Sequence, residues 1–199
     1  MRSLQNKREN MRTFIALNIS EDIRKRLAEF TENIQKGLVR TGASIKYVEP
    51  ENLHLTIKFL GDTPENLIPQ IHSELERFYN TQEKILVKFG EIGVFPNRKF
   101  PKVIWVGING SREKLQYLQK ETENICERFG YKPEGRDFSP HLTLARIKSI
   151  KSSQAIMSVL DSHRNYGFGK MNFERITFYQ SILQSAGPIY KSLYQYILK

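Results

Sequence analysis

The chain is poor in the residues that build disulfide frameworks and metal cages. Cys126 is its single cysteine, so no internal disulfide can form, as suits a reducing cytoplasm, where the protein is expected to reside. Its setting in Asn124-Ile125-Cys126-Glu127 reads as helical, which favours packing over nucleophilic chemistry. There are four histidines, no His-x-His and no acidic cluster at ligand spacing, so neither metal nor other cofactor is expected. No stretch approaches the roughly eighteen consecutive apolar residues of a membrane helix, so no membrane partner is expected. The opening MRSLQNKREN lacks the apolar core of a signal peptide. Residues 1–10 read as a disordered extension before one bilobal domain at 11–199, unless translation begins at Met11.

Acidic residues are also in deficit. Thirty-one Lys and Arg against 21 Asp and Glu give a net charge of +10, which favours polyanionic partners. The 39% hydrophobic content is enough for a packed core. No obligate protein partner is evident, and a monomer is expected.

Two stretches stand out, His54-Leu55-Thr56-Ile57 and His141-Leu142-Thr143-Leu144, 87 positions apart. With nine threonines in the chain, a Thr two places after a given His is roughly a one-in-twenty coincidence, so two copies are informative. In strands, His54 and Thr56 share one face, while Leu53, Leu55, Ile57 and Phe59 take the other. His141 and Thr143 likewise oppose Leu142 and Leu144. Two imidazoles can act as acid and base on opposite sides of an in-line displacement. Two hydroxyls can donate to the non-bridging oxygens of one phosphate.

Periodicity predicts strands at 12–19, 84–95, 102–109, 170–180 and 189–198. It predicts a helix capped by Ser20 with Ile23, Leu27, Phe30 and Ile34 on one face. A second helix is expected to start at Thr63-Pro64, with Leu67, Ile71, Leu75 and Phe78 inward. A third, capped by Ser111, carries Leu115, Leu118, Thr122 and Ile125, and a short one spans 151–161. The loop Pro96-Asn97-Arg98-Lys99-Phe100-Pro101 has a composition suited to a nucleotide strand, or to a solvated hairpin. His72 and His163 are expected in solvated roles.

From about Met11 onward the chain resembles the two-histidine phosphoesterases. Among these it is most similar to the RNA 2′,3′-cyclic phosphodiesterases, also called LigT-like or 2′-5′ RNA ligase-like proteins. The resemblance is carried by Met11-Arg12-Thr13-Phe14-Ile15-Ala16-Leu17, by Val48 to Gly61 around the first motif, and by Gly93-Val94-Phe95-Pro96 with Val103 to Gly107. Phe138-Ser139-Pro140-His141-Leu142-Thr143-Leu144-Ala145-Arg146 carries it around the second. Tyr47 stands where the family often has Trp.

The resemblance implies an α+β fold of two pseudo-twofold lobes, mostly antiparallel sheets backed by helices, with the motif strands central and a cleft between. It implies metal-independent hydrolysis of RNA 2′,3′-cyclic phosphate ends to 2′-phosphomonoesters, with His54 the proton donor and His141 the proton acceptor. Thr56, Thr143 and Arg146 would hold the phosphate. Arg146 has the strand parity of Leu142 and Leu144, so it reaches that phosphate only if the strand twists, ends or bulges near Ala145. Two alternatives stay open: ATP-independent 2′-5′ RNA ligation by the same residues, and a basic RNA-binding module without turnover.

Overall fold

The computed structural model describes residues 10–164, 166–185 and 187–199. Most of the expected N-terminal extension lies outside the described residues, and Asn10 already belongs to strand β1 (Asn10–Asn18). Helix α1 (Glu21–Val39) follows, its first turn closed by the Ser20 hydroxyl, which accepts from the Ile23 N–H at 3.4 Å. Its stripe Ile23, Leu27, Phe30, Ile34 and Leu38 is buried. The chain then runs through β2 (Ser44–Tyr47), a 3-10 turn at Pro50–Asn52, β3 (His54–Pro64), α2 (Ile68–Tyr79), β4 (Ile85–Phe95) and β5 (Val103–Asn109). It ends with α3 (Arg112–Glu127), β6 (His141–Ser149), α4 (Ser153–Asp161), β7 (Gly169–Phe173), β8 (Arg175–Leu183) and β9 (Pro188–Ile197).

The strands form two sheets, in the orders β3-β1-β8-β9 and β2-β6-β5-β4-β7; the pairings within them are antiparallel. The orders conceal a repeat. In the series β1, α1, β3, α2, β4 the first strand pairs with the His-x-Thr strand, and the last crosses into the opposite sheet. The series β5, α3, β6, α4, β8 does the same. Thus β4 lies beside β5, and β8 beside β1. Each sheet is built from both halves, giving the expected pseudo-twofold, two-sheet α+β architecture. Helices α2 and α3 pack on the four-stranded sheet, α1 and α4 on the five-stranded one. The buried apolar cluster draws on both sheets and all four helices.

Several local expectations are corrected. The Thr63 hydroxyl does not cap a helix; it bonds the Thr13 hydroxyl at 2.7 Å and the Gly61 carbonyl at 3.2 Å. Consequently β3 runs on to Pro64, a 3-10 turn intervenes, and α2 begins at Ile68, burying Ile68 and Tyr79 along with Ile71 and Leu75. The Ser111 hydroxyl makes no cap bond either and donates to the Leu86 carbonyl at 2.8 Å. The single strand expected at 170–180 is two, interrupted at Glu174, with β7 and β8 in different sheets. His72 is not merely solvated: it stacks on Tyr194 with ring centroids 3.7 Å apart. His163 meets the Phe30 ring edge-on at 5.8 Å.

Candidate active site

Both motif histidines occupy the first position of a strand, β3 for His54 and β6 for His141. Each turns its Nδ1 back onto the carbonyl two residues earlier. His54 Nδ1–H donates to Asn52 O, and His141 Nδ1–H donates to Ser139 O, both at 2.7 Å. A carbonyl only accepts, so Nδ1 carries the proton and Nε2 is the nitrogen left to exchange one. The two imidazoles are thus held in the same tautomer by the same device.

Both strands approach each other, and the half-buried residues His54, Thr56, His141 and Thr143 alternate with buried Leu53, Leu55, Leu142 and Leu144. Strict alternation then fails in both. On β6 the pairing with β5 steps from Thr143↔Trp105 to Ala145↔Ile104. This is a bulge that turns Leu144 and Ala145 inward together. Arg146 is thereby returned, exposed, to the face of His141 and Thr143. Its charge reaches the His141 imidazole and the Tyr190 phenol.

The first motif carries the same bulge. Pairing with β1 steps from Thr56↔Ala16 to Lys58↔Ile15, so Ile57 and Lys58 both face inward. Phe59 emerges on the face of His54, 47% exposed, and not on the core face that alternation predicts. The spacing His-x-Thr-x-x-Phe matches His-x-Thr-x-x-Arg, a signal present in the sequence that strict alternation hides.

The surroundings of the imidazoles are aromatic. His54 lies 4.9 Å from the Phe14 ring and meets Tyr190 edge-on at 5.4 Å. His141 meets Phe95 edge-on at 4.9 Å, with Trp105 at 6.3 Å. Tyr190 comes from β9, the far edge of the sheet that begins with β3, so the sheet curls until its outer strands face each other over Phe14. Beside His54, a cavity of about 340 Å³ is bounded by Asn18, Arg24, Asn52, Tyr179 and Tyr190. Asn18 is fixed there, its amide donating to the Tyr179 oxygen at 2.6 Å and its carbonyl accepting from Thr177 at 2.7 Å.

Burial dominates the electrostatics. It pushes the His54 imidazole from 6.5 down to about 4, with the Asn52 carbonyl pulling weakly the other way. His141 is lowered in the same sense by burial, opposed by the Ser139 carbonyl and assisted by the Arg146 charge. Both therefore favour the neutral form at pH 7. An anion placed between them favours the charged form and restores a proton to one of them. Two neutral bases, two hydroxyls and a guanidinium around one space can bind a phosphate and pass protons to either side of it.

The family model for LigT-like phosphoesterases matches residues 17–105 and again 106–190. The chain belongs to the LigT-like phosphoesterase family. The two matches divide it nearly where the repeat in the fold does. This LigT-like phosphoesterase is 36% identical to the RNA 2′,3′-cyclic phosphodiesterase of Aeropyrum pernix over 81% of its own chain and 91% of that one. With the enzyme of the same name from Methanocaldococcus jannaschii it shares 34% identity, over 91% and 97% of the two chains. A crystal structure of a Thermus thermophilus protein superposes with TM-score 0.78 at 26% identity, covering 94% of this chain and 98% of that one.

Other expected features make contacts of their own. The Pro96–Pro101 loop is tied down: Arg98 makes a paired contact with Asp161, one bond at 3.0 Å, and Lys99 sits 5.5 Å over the Phe100 ring. Cys126 is buried on α3, and burial pushes its thiol up to about 12, which fits packing. Among the described residues, no helix is long and apolar enough to cross a membrane.

Proposed function

We propose that this phosphoesterase hydrolyses the 2′,3′-cyclic phosphate ends of RNA to 2′-phosphomonoesters, with His54 as proton donor and His141 as proton acceptor. The observation that carries this reading is the matched pair of imidazoles, each anchored through Nδ1 and presenting Nε2. In the step, His141 Nε2 takes a proton from water as its oxygen bonds to phosphorus. The P–O3′ bond breaks, and protonated His54 gives its Nε2 proton to O3′. Thr56, Thr143 and Arg146 offset the charge gathering on the non-bridging oxygens. The phosphate itself raises the His54 pKa on binding, so the acid is charged when substrate is present. Acid, base and charge stabilisation all come from side chains, so the scheme calls for no metal. The names of the Aeropyrum and Methanocaldococcus relatives support the substrate class.

The test is turnover of a nucleoside 2′,3′-cyclic phosphate in EDTA, with products resolved as 2′- or 3′-phosphates. The 2′-phosphate is expected. Formation of the 3′-phosphate, or loss of activity in EDTA, would contradict the scheme.

A further inference from the structure

We infer that Arg12, set against Phe59 and facing Tyr190, forms a second phosphate subsite for the phosphate on the 5′ side of the terminal nucleotide. The inference deepens the proposed function and rests on it. Both register shifts between β1 and β3 put the extra residue on β3, and β1 keeps unbroken step with β8 over Thr13–Leu17. Arg12, Phe14, Ala16 and Asn18 therefore project from one face of a regular strand. That is the cleft face, since Phe14 touches His54 and Tyr190. Arg12 lies two residues beyond Phe14, at the end of the cleft away from His54. Its guanidinium rests 4.9 Å over the ring of Phe59, the residue that the bulge in β3 brings onto this face.

Stacked in this way the guanidinium is oriented but not neutralised. Among the described residues, neither Arg12 nor Arg146 takes part in an ion pair. Both charges bear on the Tyr190 hydroxyl from different strands. The cleft therefore has two cationic positions that share one phenol as a neighbour. Arg146 belongs to the reacting phosphate through its place beside Thr143, and Arg12 has no such partner.

The proposed roles give the direction of the substrate. His54 protonates O3′, so the ribose whose phosphate reacts lies on the β3 side of the cleft. The 5′ end of that nucleotide leaves along the same sheet. Thr56 pairs with Ala16, and Arg12 is four residues further along β1, on the order of 13 Å of strand. Its side chain folds over Phe59, which pairs with Phe14 two residues nearer the motif, and so shortens that gap. A guanidinium suits this task because its planar donors match two oxygens of one phosphate. The site thus favours an RNA end over a mononucleoside cyclic phosphate.

The experiment compares kcat/KM for adenosine 2′,3′-cyclic phosphate and for the same compound carrying a 5′-phosphate, in wild type, Arg12→Ala and Arg12→Lys. Wild type is expected to favour the 5′-phosphorylated compound about tenfold or more, the effect of one charge-assisted phosphate contact. Arg12→Ala should bring the ratio to near one, with Arg12→Lys between. The wild-type advantage should also shrink as salt rises. Equal rates on the two compounds in wild type would overturn the subsite while leaving the proposed function standing, as would an undiminished ratio in folded Arg12→Ala. Should Arg12→Ala fail to fold, the wild-type ratio and its salt dependence decide alone. Turnover of neither compound would overturn both readings.

Discussion

At the scale of single residues, the two histidines are distinguished by their neighbours and not by their motifs. Replacing either with Ala should lower kcat by about 10²- to 10⁴-fold, the range for one acid or base, with the thermal midpoint at pH 8 little changed. A histidine variant that keeps wild-type kcat would sink its assignment. Burial also couples His54 to stability. Its folded pKa lies below its unfolded value of 6.5, so below that pH the unfolded chain binds the extra proton. The stability contributed is fully present above about pH 6.5 and is lost as pH falls toward 4. His54→Asn should therefore fall less in thermal midpoint than wild type between pH 7 and 4.5. Parallel curves for the two proteins would contradict this.

Among the secondary-structure elements, the paired bulges decide which side chains enter the cleft. The bulge on β3 also turns Lys58 into the interior, where its Nζ pairs with Glu123 of α3 and donates to the Lys132 carbonyl at 2.6 Å. Gln119 completes the carboxylate from the next turn, at 3.1 Å. Lys58→Ala leaves Glu123 buried without its counter-ion, which should cost about 3–5 kcal/mol in urea unfolding. The double variant Lys58→Met/Glu123→Leu should recover most of that loss. Failure to recover would mean the pair does more than neutralise itself.

The motif residues were legible in the sequence because His and Thr recur at fixed spacing within strongly alternating leucines. The bulges were not, since Ala145 and Lys58 are residue types that alternation cannot assign to a face. Alternation therefore leaves Arg146 to family likeness and puts Phe59 on the wrong side. Helix stripes were readable where large apolar residues dominate, as in α1. The start of α2 was not, because the Thr63 hydroxyl bonds Thr13 on β1. Helix α3 does begin after Ser111 as expected, with that hydroxyl bonded to Leu86 of β4 instead of to the cap. Nothing local marks Glu174 as the point where one apparent strand divides between two sheets.

On the scale of the whole molecule, the exchange of β4 and β8 between halves makes each sheet depend on both. Unfolding is expected to be a single transition. Trp105 is the chain's only tryptophan and reports from the five-stranded sheet, while far-ultraviolet circular dichroism reports on all elements. Their urea curves should coincide. An earlier midpoint for either probe would show that one sheet melts alone. The charge of +10 acts at this scale too, since it favours encounter with polyanions.

The crossing strands also determine what kind of selectivity this cleft can have. Two walls that merely touched could swing apart to admit a larger group and close on a smaller one. Here the two walls are joined by the crossing connections and share one apolar core, so widening the gap would expose that core to water. The separation of the two imidazoles is therefore expected to vary little from one ligand to another. On the proposed function, improved activity on bulkier esters should therefore come from changes in side chains lining the gap, not from looser hinges.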